Sequence, residues 1–229
     1  MNTIGPDQWL YFSALLREFE RKNKLSDGFL SAGEARFREA LEKYLFLLIE
    51  KNHAINLTAI DSFESAVWKH LYDSLLLLNF EPLGLLLDWG TGGGTPGIPL
   101  ALFRKHILNK SSDLVFLDSV GKKVACVKEF CSTLDILDAN FFIGRGEEYI
   151  RMNKVNTVVM RAVAPPRRAI TWVSDSVDRW VFMTGPRGAE EWRGFSNKMQ
   201  SRGFSERPKF QAELPLDWGT RHIISFSKQ

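Results

Sequence analysis

Cysteine is scarce in this chain of 229 residues: Cys126 and Cys131 are the only two. Two thiols cannot build a disulfide framework, and without further cysteines they do not suggest zinc, so no metal is expected. Both are expected as buried, reduced thiols on different faces of one helix, in a cytoplasmic protein. Long apolar runs are missing too. None reaches the ~18 residues a membrane span requires, so no membrane partner is expected. The start, Met1-Asn2-Thr3-Ile4-Gly5-Pro6-Asp7, lacks the basic residues and apolar stretch of a signal peptide. There are no internal repeats and no low-complexity segments. A strong charge of one sign is also absent, since 30 Lys and Arg face 27 Asp and Glu for a net +3.

What remains is ordinary for a soluble globular chain: 45% hydrophobic and 25% charged residues. The length suits one domain, with or without a modest appendage, and can bury a full core. The mild charge is unevenly placed. Between Arg145 and Lys209 stand thirteen basic and seven acidic residues, an excess of six that suits a polyanionic substrate. A solvated, arginine-rich surface would give the same count.

The most informative stretch is Leu85-Leu86-Leu87-Asp88-Trp89-Gly90-Thr91-Gly92-Gly93-Gly94-Thr95-Pro96-Gly97. A short apolar run without helical spacing reads as a buried strand, and the glycines end it. Pro96-Gly97-Ile98 then starts a helix, because proline is tolerated in a first turn. Strand, glycine loop and helix N-terminus together cradle a polar ligand. Gly92-x-Gly94-x-x-Gly97 fits a dinucleotide fingerprint, with Asp118 as the ribose acid. Asp88-x-Gly90-x-Gly92-x-Gly94 instead resembles the first motif of methyltransferases that use S-adenosylmethionine. Asp88 favours the second reading. A carboxylate at the strand end repels a pyrophosphate but attracts a sulfonium cofactor with a free ammonium group.

Upstream, the pattern is helical. Trp9, Leu10, Phe12, Leu15, Leu16 and Phe19 share one helical spacing. Asp27-Gly28 breaks it, and Ser31 with Glu34 makes a capping box. Phe37, Leu41, Tyr44, Leu45 and Leu48 then line one face, and a third helix is expected from Asp61-Ser62 with Val67, Leu71, Leu75 and Leu78 inward. Residues 1–80 are therefore expected as a helical cap, and 81–229 as the core. Strands are expected at Leu114–Leu117, Phe141–Ile143, Val158–Met160 and Val181–Met183. Helices from Ser119, Gly146, Arg167 and Ala189 separate them. Phe204–Phe210 and His222–Phe226 follow without a helix and read as an antiparallel hairpin. The expected class is α/β, a doubly wound, mostly parallel seven-stranded sheet with ligands at the carboxyl ends of its strands. That places Asp88, Asp118, Arg145–Glu147 and Arg161 around one pocket.

Several short motifs recur in a fixed order. Asn56-Leu57-Thr58 and His70-Leu71-Tyr72-Asp73-Ser74 precede the glycine loop; Leu117-Asp118-Ser119-Val120-Gly121-Lys122-Lys123 follows it. Arg145-Gly146-Glu147-Glu148, Arg161-Ala162-Val163-Ala164-Pro165 and a closing Arg221-His222 complete the series. Together they resemble the glucose-inhibited division protein B family, bacterial 16S ribosomal RNA (guanine-N7) methyltransferases, from about Phe37 to the C-terminus. The resemblance implies S-adenosylmethionine as cofactor, a class I methyltransferase core, and 16S RNA or the small ribosomal subunit as partner of a monomer. It also implies cofactor contacts. Gly90 and Thr95, with Gly92 and Gly94 in the loop, meet the methionine part, Gly146 and Glu147 the adenine, and Arg161 the cofactor from the fourth strand. Asp118 takes the strand-end position where two carboxylate oxygens can accept both ribose hydroxyls.

Plainer readings stand beside these. Arg161 could cap the sheet or pair with Asp88, and Glu147 could serve only the helix dipole. Asn56, His70 and Asp73 are the candidate catalytic residues, since the spacing of three puts His70 and Asp73 on one helix face; a satisfied core histidine is the alternative. Trp68, Trp89, Trp172 and Trp192 could stack on a flipped base or simply fill the core. Arg167 and Arg168, after the stiff Pro165-Pro166 turn, are the expected RNA contacts. One position departs from the family. Thr184 stands where its members carry a lysine at the end of the fifth strand, and Arg187 is expected to supply that charge.

Overall fold

The computed structural model describes residues 3–25, 31–80 and 84–229, with the side chains of Ser31 and Ala32 also outside the description. The Asp27-Gly28 break and the Ser31 side of the capping box therefore lie outside the described residues.

The amphipathic patterns become helices. α1 (Pro6–Lys22) turns Phe12, Leu15, Leu16 and Phe19 inward. Leu10, expected on that face, is 62% exposed, because it falls on the opposite side of the turn from Phe12 and Phe19. α2 (Ser31–Ile55) buries Phe37, Leu41, Tyr44, Leu45 and Leu48 almost completely. The third helical segment, α3 (63–79), starts with the Ser62 hydroxyl accepting from the Ser65 amide. It runs as a short α turn, widens to π geometry over Val67–Tyr72, and tightens to a 3-10 turn over Leu76–Asn79. Wide turns of this kind gather at functional sites. His70 and Asp73 both lie on its buried side.

The rest alternates strand and helix: β1 (Leu86–Trp89), α4 (Gly97–His106), β2 (Leu114–Asp118), α5 (Gly121–Thr133), β3 (Asn140–Ile143), α6 (Gly146–Met152), β4 (Val155–Arg161), α7 (Pro166–Trp172), β5 (Val177–Thr184), α8 (Pro186–Arg193) and α9 (Ser196–Gln200). β6 (Phe204–Glu206), β7 (Phe210–Glu213) and β8 (Thr220–Lys228) close the chain. The sheet order is β3-β2-β1-β4-β5-β8-β6. β1 to β5 pair in parallel, and β8 runs antiparallel beside β5. Seven positions across the sheet match the expectation, but the last is shared by two strands. β6 pairs with one end of β8 and β7 with the other. Pro208 lies between them, and a residue without an amide hydrogen cannot continue the ladder.

Two cores follow from the period-two alternation along the strands. Leu86, Leu114, Phe116, Val159 and Val181 join α1, α2, α3, α4 and α5 on one face. Leu87, Val115, Leu117, Val158, Trp180 and Phe182 face α6 to α9 on the other. Cys126 and Cys131 are free and buried in the first of these cores, not on different faces as expected. The sheet is covered on both sides, as parallel strands require. β1 pairs with β2 on one side and β4 on the other, so their connections diverge and leave a crevice at the carboxyl ends.

Candidate active site

A cavity of about 730 Å³ fills that crevice. Ligand sites commonly span roughly 300–1,000 Å³, which leaves room here for a nucleoside-sized cofactor and part of a base.

The floor is the glycine loop. The amides of Gly90 and Thr91 both bond the Leu117 carbonyl, at 2.8 and 2.9 Å, and so turn the chain out of β1. Asp88 holds the loop from behind. Its Oδ2 accepts from Thr91 Oγ1 at 2.8 Å and from the Gly97 amide at 3.0 Å, tying the loop to the first residue of α4. Burial pushes its carboxyl up to about 6, against the pull of those two bonds. Asp88 is thus off the cavity wall, and the expectation that it faces the ligand is corrected: its Oδ2 is taken by the loop and by the start of α4. Gly94 is off the wall as well, since a side chain there would point at Ile98 and Tyr44. Gly90, Gly92 and Thr95 line the cavity.

Asp118 closes β2 on the wall. Its Oδ2 accepts from the Gly92 amide at 3.1 Å and its Oδ1 from the Val120 amide at 3.0 Å. Each oxygen keeps a further lone pair, so the carboxylate retains acceptor capacity. Gly146 and Glu147 line the wall nearby. Gly146 begins α6 against the Trp89 ring, where a β-carbon would lie only 2.0 Å from a ring atom. Only glycine allows that approach.

Arg161, at the end of β4, gathers the opposite wall. Its Nη1 donates to the Lys69 carbonyl at 2.7 Å and to Asp73 Oδ2 at 3.1 Å. Its Nη2 donates to His70 Nδ1 at 3.0 Å and to Thr95 Oγ1. Asp73 Oδ1 also accepts from Arg221 Nε at 3.0 Å. Arg161 therefore pairs with Asp73 and not with Asp88, and its terminal nitrogens serve the protein. His70 Nε2 meets Thr58 Oγ1 at 2.9 Å. Burial, with the adjacent Arg161 charge, holds the His70 imidazole down at about 3, so it is neutral at physiological pH.

Other expected residues fall outside. Asn56 is exposed, off the wall, with φ of 50°. It follows the last residue of α2 and its amide bonds the Asn52 carbonyl, so it is a helix stop in the left-handed region that asparagine tolerates. Arg168 reaches the wall and lies 5.4 Å over the Trp172 ring, whereas Arg167 and Arg187 are exposed and off it. Thr184 lines the cavity, but the cation beside it is not Arg187. Arg221, one residue from the register partner of Thr184 on β8, reaches the wall from there. Trp89, Trp172 and Trp192 line the cavity, and Trp89 stacks on Trp172 at 5.5 Å. Trp68 packs instead among Tyr11, Phe12 and Tyr72. Sequence reasoning passed over Thr58, Lys69 and Lys123 on this wall. Thr58 and Lys123 sat within quoted motifs, but nothing in a threonine or a lysine there marks it as facing inward.

Comparison with known proteins places this geometry. Residues 38–215 match the family described as rRNA small subunit methyltransferase G. The ribosomal RNA small subunit methyltransferase G of Pseudomonas fluorescens is 36% identical over 156 residues, 67% of this chain and 71% of that protein. Its counterpart in Actinobacillus succinogenes is 30% identical over 190 residues, covering 82% and 85%. Among solved structures, magnesium protoporphyrin IX methyltransferase from Synechocystis, with bound S-adenosylmethionine, superposes with a TM-score of 0.53 at 13% identity, covering 81% of this chain and 97% of that one. That likeness is one of fold. The family match covers most of the chain: it belongs to the rRNA small subunit methyltransferase G family.

Proposed function

We propose that this S-adenosylmethionine-dependent ribosomal RNA methyltransferase places its methyl group on N7 of a guanine in the 16S RNA of the small subunit. The observation that carries the reading is the pairing, in one cavity, of an open glycine cradle with a histidine whose two ring nitrogens are both bonded within the protein. The cradle fits the cofactor: Asp118 keeps free lone pairs for ribose hydroxyls, and Gly146 lets α6 start directly against the Trp89 ring, with both residues on the cavity wall. Gly90, Gly92 and Thr95 take the methionine portion, Gly146 and Glu147 the adenine, and Arg161 fixes Thr95 in place. Bound there, S-adenosylmethionine supplies an electrophilic sulfonium methyl.

N7 of guanine carries an in-plane lone pair and no proton, so its methylation needs no general base. The wall agrees. Both His70 nitrogens are committed, one to Arg161 and one to Thr58, and the ring takes up no second proton near neutrality. The residues accelerate transfer by holding base and methyl in line and excluding water. Asp73, buried between two arginines, sets the geometry of that wall. Lys69, Lys123, Arg145, Arg168 and Arg221 give the rim a positive surface for RNA phosphates, and Arg167 and Arg187 extend it outward. Residues 1–80 act as a cap that covers one sheet face of the 81–229 core, and the enzyme works as a cytoplasmic monomer.

The test is transfer of labelled methyl from S-adenosylmethionine to small-subunit RNA that lacks its native methyl groups, followed by nucleoside analysis. Label in 7-methylguanosine is expected. Label in any other nucleoside would overturn the N7 assignment.

A further inference from the structure

Thr58 is a donor whose direction is set by its neighbours. An arginine can only donate, so His70 Nδ1, 3.0 Å from Arg161 Nη2, accepts. The neutral ring then carries its hydrogen on Nε2. That hydrogen points at Thr58 Oγ1, 2.9 Å away. The Ile60 amide donates to the same oxygen at 3.1 Å. Both lone pairs of the hydroxyl are now occupied, and its hydrogen must point away from both donors. Among the described residues no acceptor takes it, and Thr58 stands on the cavity wall. The arrangement is stiff. His70 is buried, and the Thr58 amide is tied to Asn52 Oδ1 at 2.9 Å.

We propose that the Thr58 hydroxyl donates to O6 of the target guanine and positions its N7 for methylation. This rests on the N7 reading above. The edge of guanine in question carries two acceptors, N7 and O6. N7 must keep its lone pair for the methyl group, so O6 alone is left to be held. One neutral donor suits it. The base gains a positive charge on methylation, and a cationic fork on O6 would oppose that charge, whereas a hydroxyl does not. The same hydroxyl rejects adenine, which presents an amino group where guanine presents O6. Thr58 is thus a positioning and specificity residue, with Arg161 and His70 fixing its orientation.

The experiment compares Thr58→Val and Thr58→Ser with the unaltered protein. It measures kcat and KM on unmethylated small-subunit RNA, S-adenosylhomocysteine affinity by calorimetry, and thermal unfolding. Valine keeps the shape and removes the hydroxyl. It is expected to lower kcat on RNA by at least about tenfold, with S-adenosylhomocysteine affinity within about twofold. Serine, which restores the hydroxyl, is expected to recover most of the rate. Unchanged turnover by the valine variant overturns the proposal. A matching fall in S-adenosylhomocysteine affinity overturns it too, because the hydroxyl would then serve the cofactor. If the valine variant fails to fold, Thr58→Ala is read by the same criteria. A wild-type protein that forms no 7-methylguanosine sinks the N7 reading itself, whereas normal 7-methylguanosine with an indifferent Thr58 sinks only this inference.

Discussion

At the scale of single residues, two positions respond in predictable ways. Gly92 has φ of 56°, and its amide donates to Asp118, so the loop and the end of β2 are coupled through one backbone group. Gly92→Val places a β-branched residue in the left-handed region and moves that amide. S-adenosylhomocysteine affinity is expected to fall by about a hundredfold or more in calorimetry, with the folded circular dichroism spectrum kept because the loop borders the core. His70 is expected to make one acid-sensitive contribution to stability. Its folded pKa, about 3, lies below the ordinary 6.5. The native state therefore resists protonation of this ring. The stability it contributes is complete above pH 6.5 and is lost as pH falls toward 3. Replacement by glutamine, whose amide can accept from Arg161 and donate to Thr58, removes the titration. Urea unfolding is expected to show the gap between wild type and His70→Gln narrowing by a few kcal/mol across that window. A gap independent of pH would mean that His70 is not the acid-sensitive group.

At the scale of elements, three that are distant in sequence are joined through one carboxylate. Asp73 on α3 bonds Arg161 at the end of β4 and Arg221 on β8. The carboxylate is 2% exposed, and the two arginine side chains are 17% and 24% exposed. Removing the acid leaves two partly buried cations side by side, so Asp73→Ala is expected to cost about 3 kcal/mol in urea unfolding. Arg221→Ala removes one of those cations, and combined with Asp73→Ala it should recover part of the loss. Additive losses would show that the two residues are not coupled. The widened turn over Val67–Tyr72 lies in the same segment and delivers His70 and Asp73 to the wall together.

At the scale of the whole molecule, charge and shape meet at one mouth. Arg168 reaches the cavity over Trp172 while Arg167 stays exposed beside it, and no ion pair joins either to Asp175 among the described residues. Replacing both with alanine is expected to weaken RNA binding and to flatten the slope of log affinity against log salt by about 1.5. S-adenosylhomocysteine affinity should not change. A variant that keeps the parental slope would remove α7 from the RNA face.

Much of this protein was written in local pattern. Short apolar runs, helical stripes such as Phe37 to Leu48, and glycines after Leu87 reflect constraints that each residue meets with its own neighbours in sequence. The class of sheet and the place of its crevice follow from those. That Asp118, Gly146 and Arg161 lie around the cavity was legible for the same reason, because each ends a strand or starts the helix beside one. What the sequence did not hold was direction across distance. Whether Asp88 faces ligand or loop depends on how tightly Gly97 packs above it, and whether the needed cation is Arg187 or Arg221 depends on which strand lies beside β5. Thr58 was hidden most deeply. Its role depends on a histidine twelve residues on and an arginine more than a hundred residues on, and only the folded chain brings those three side chains into a single line of hydrogen bonds.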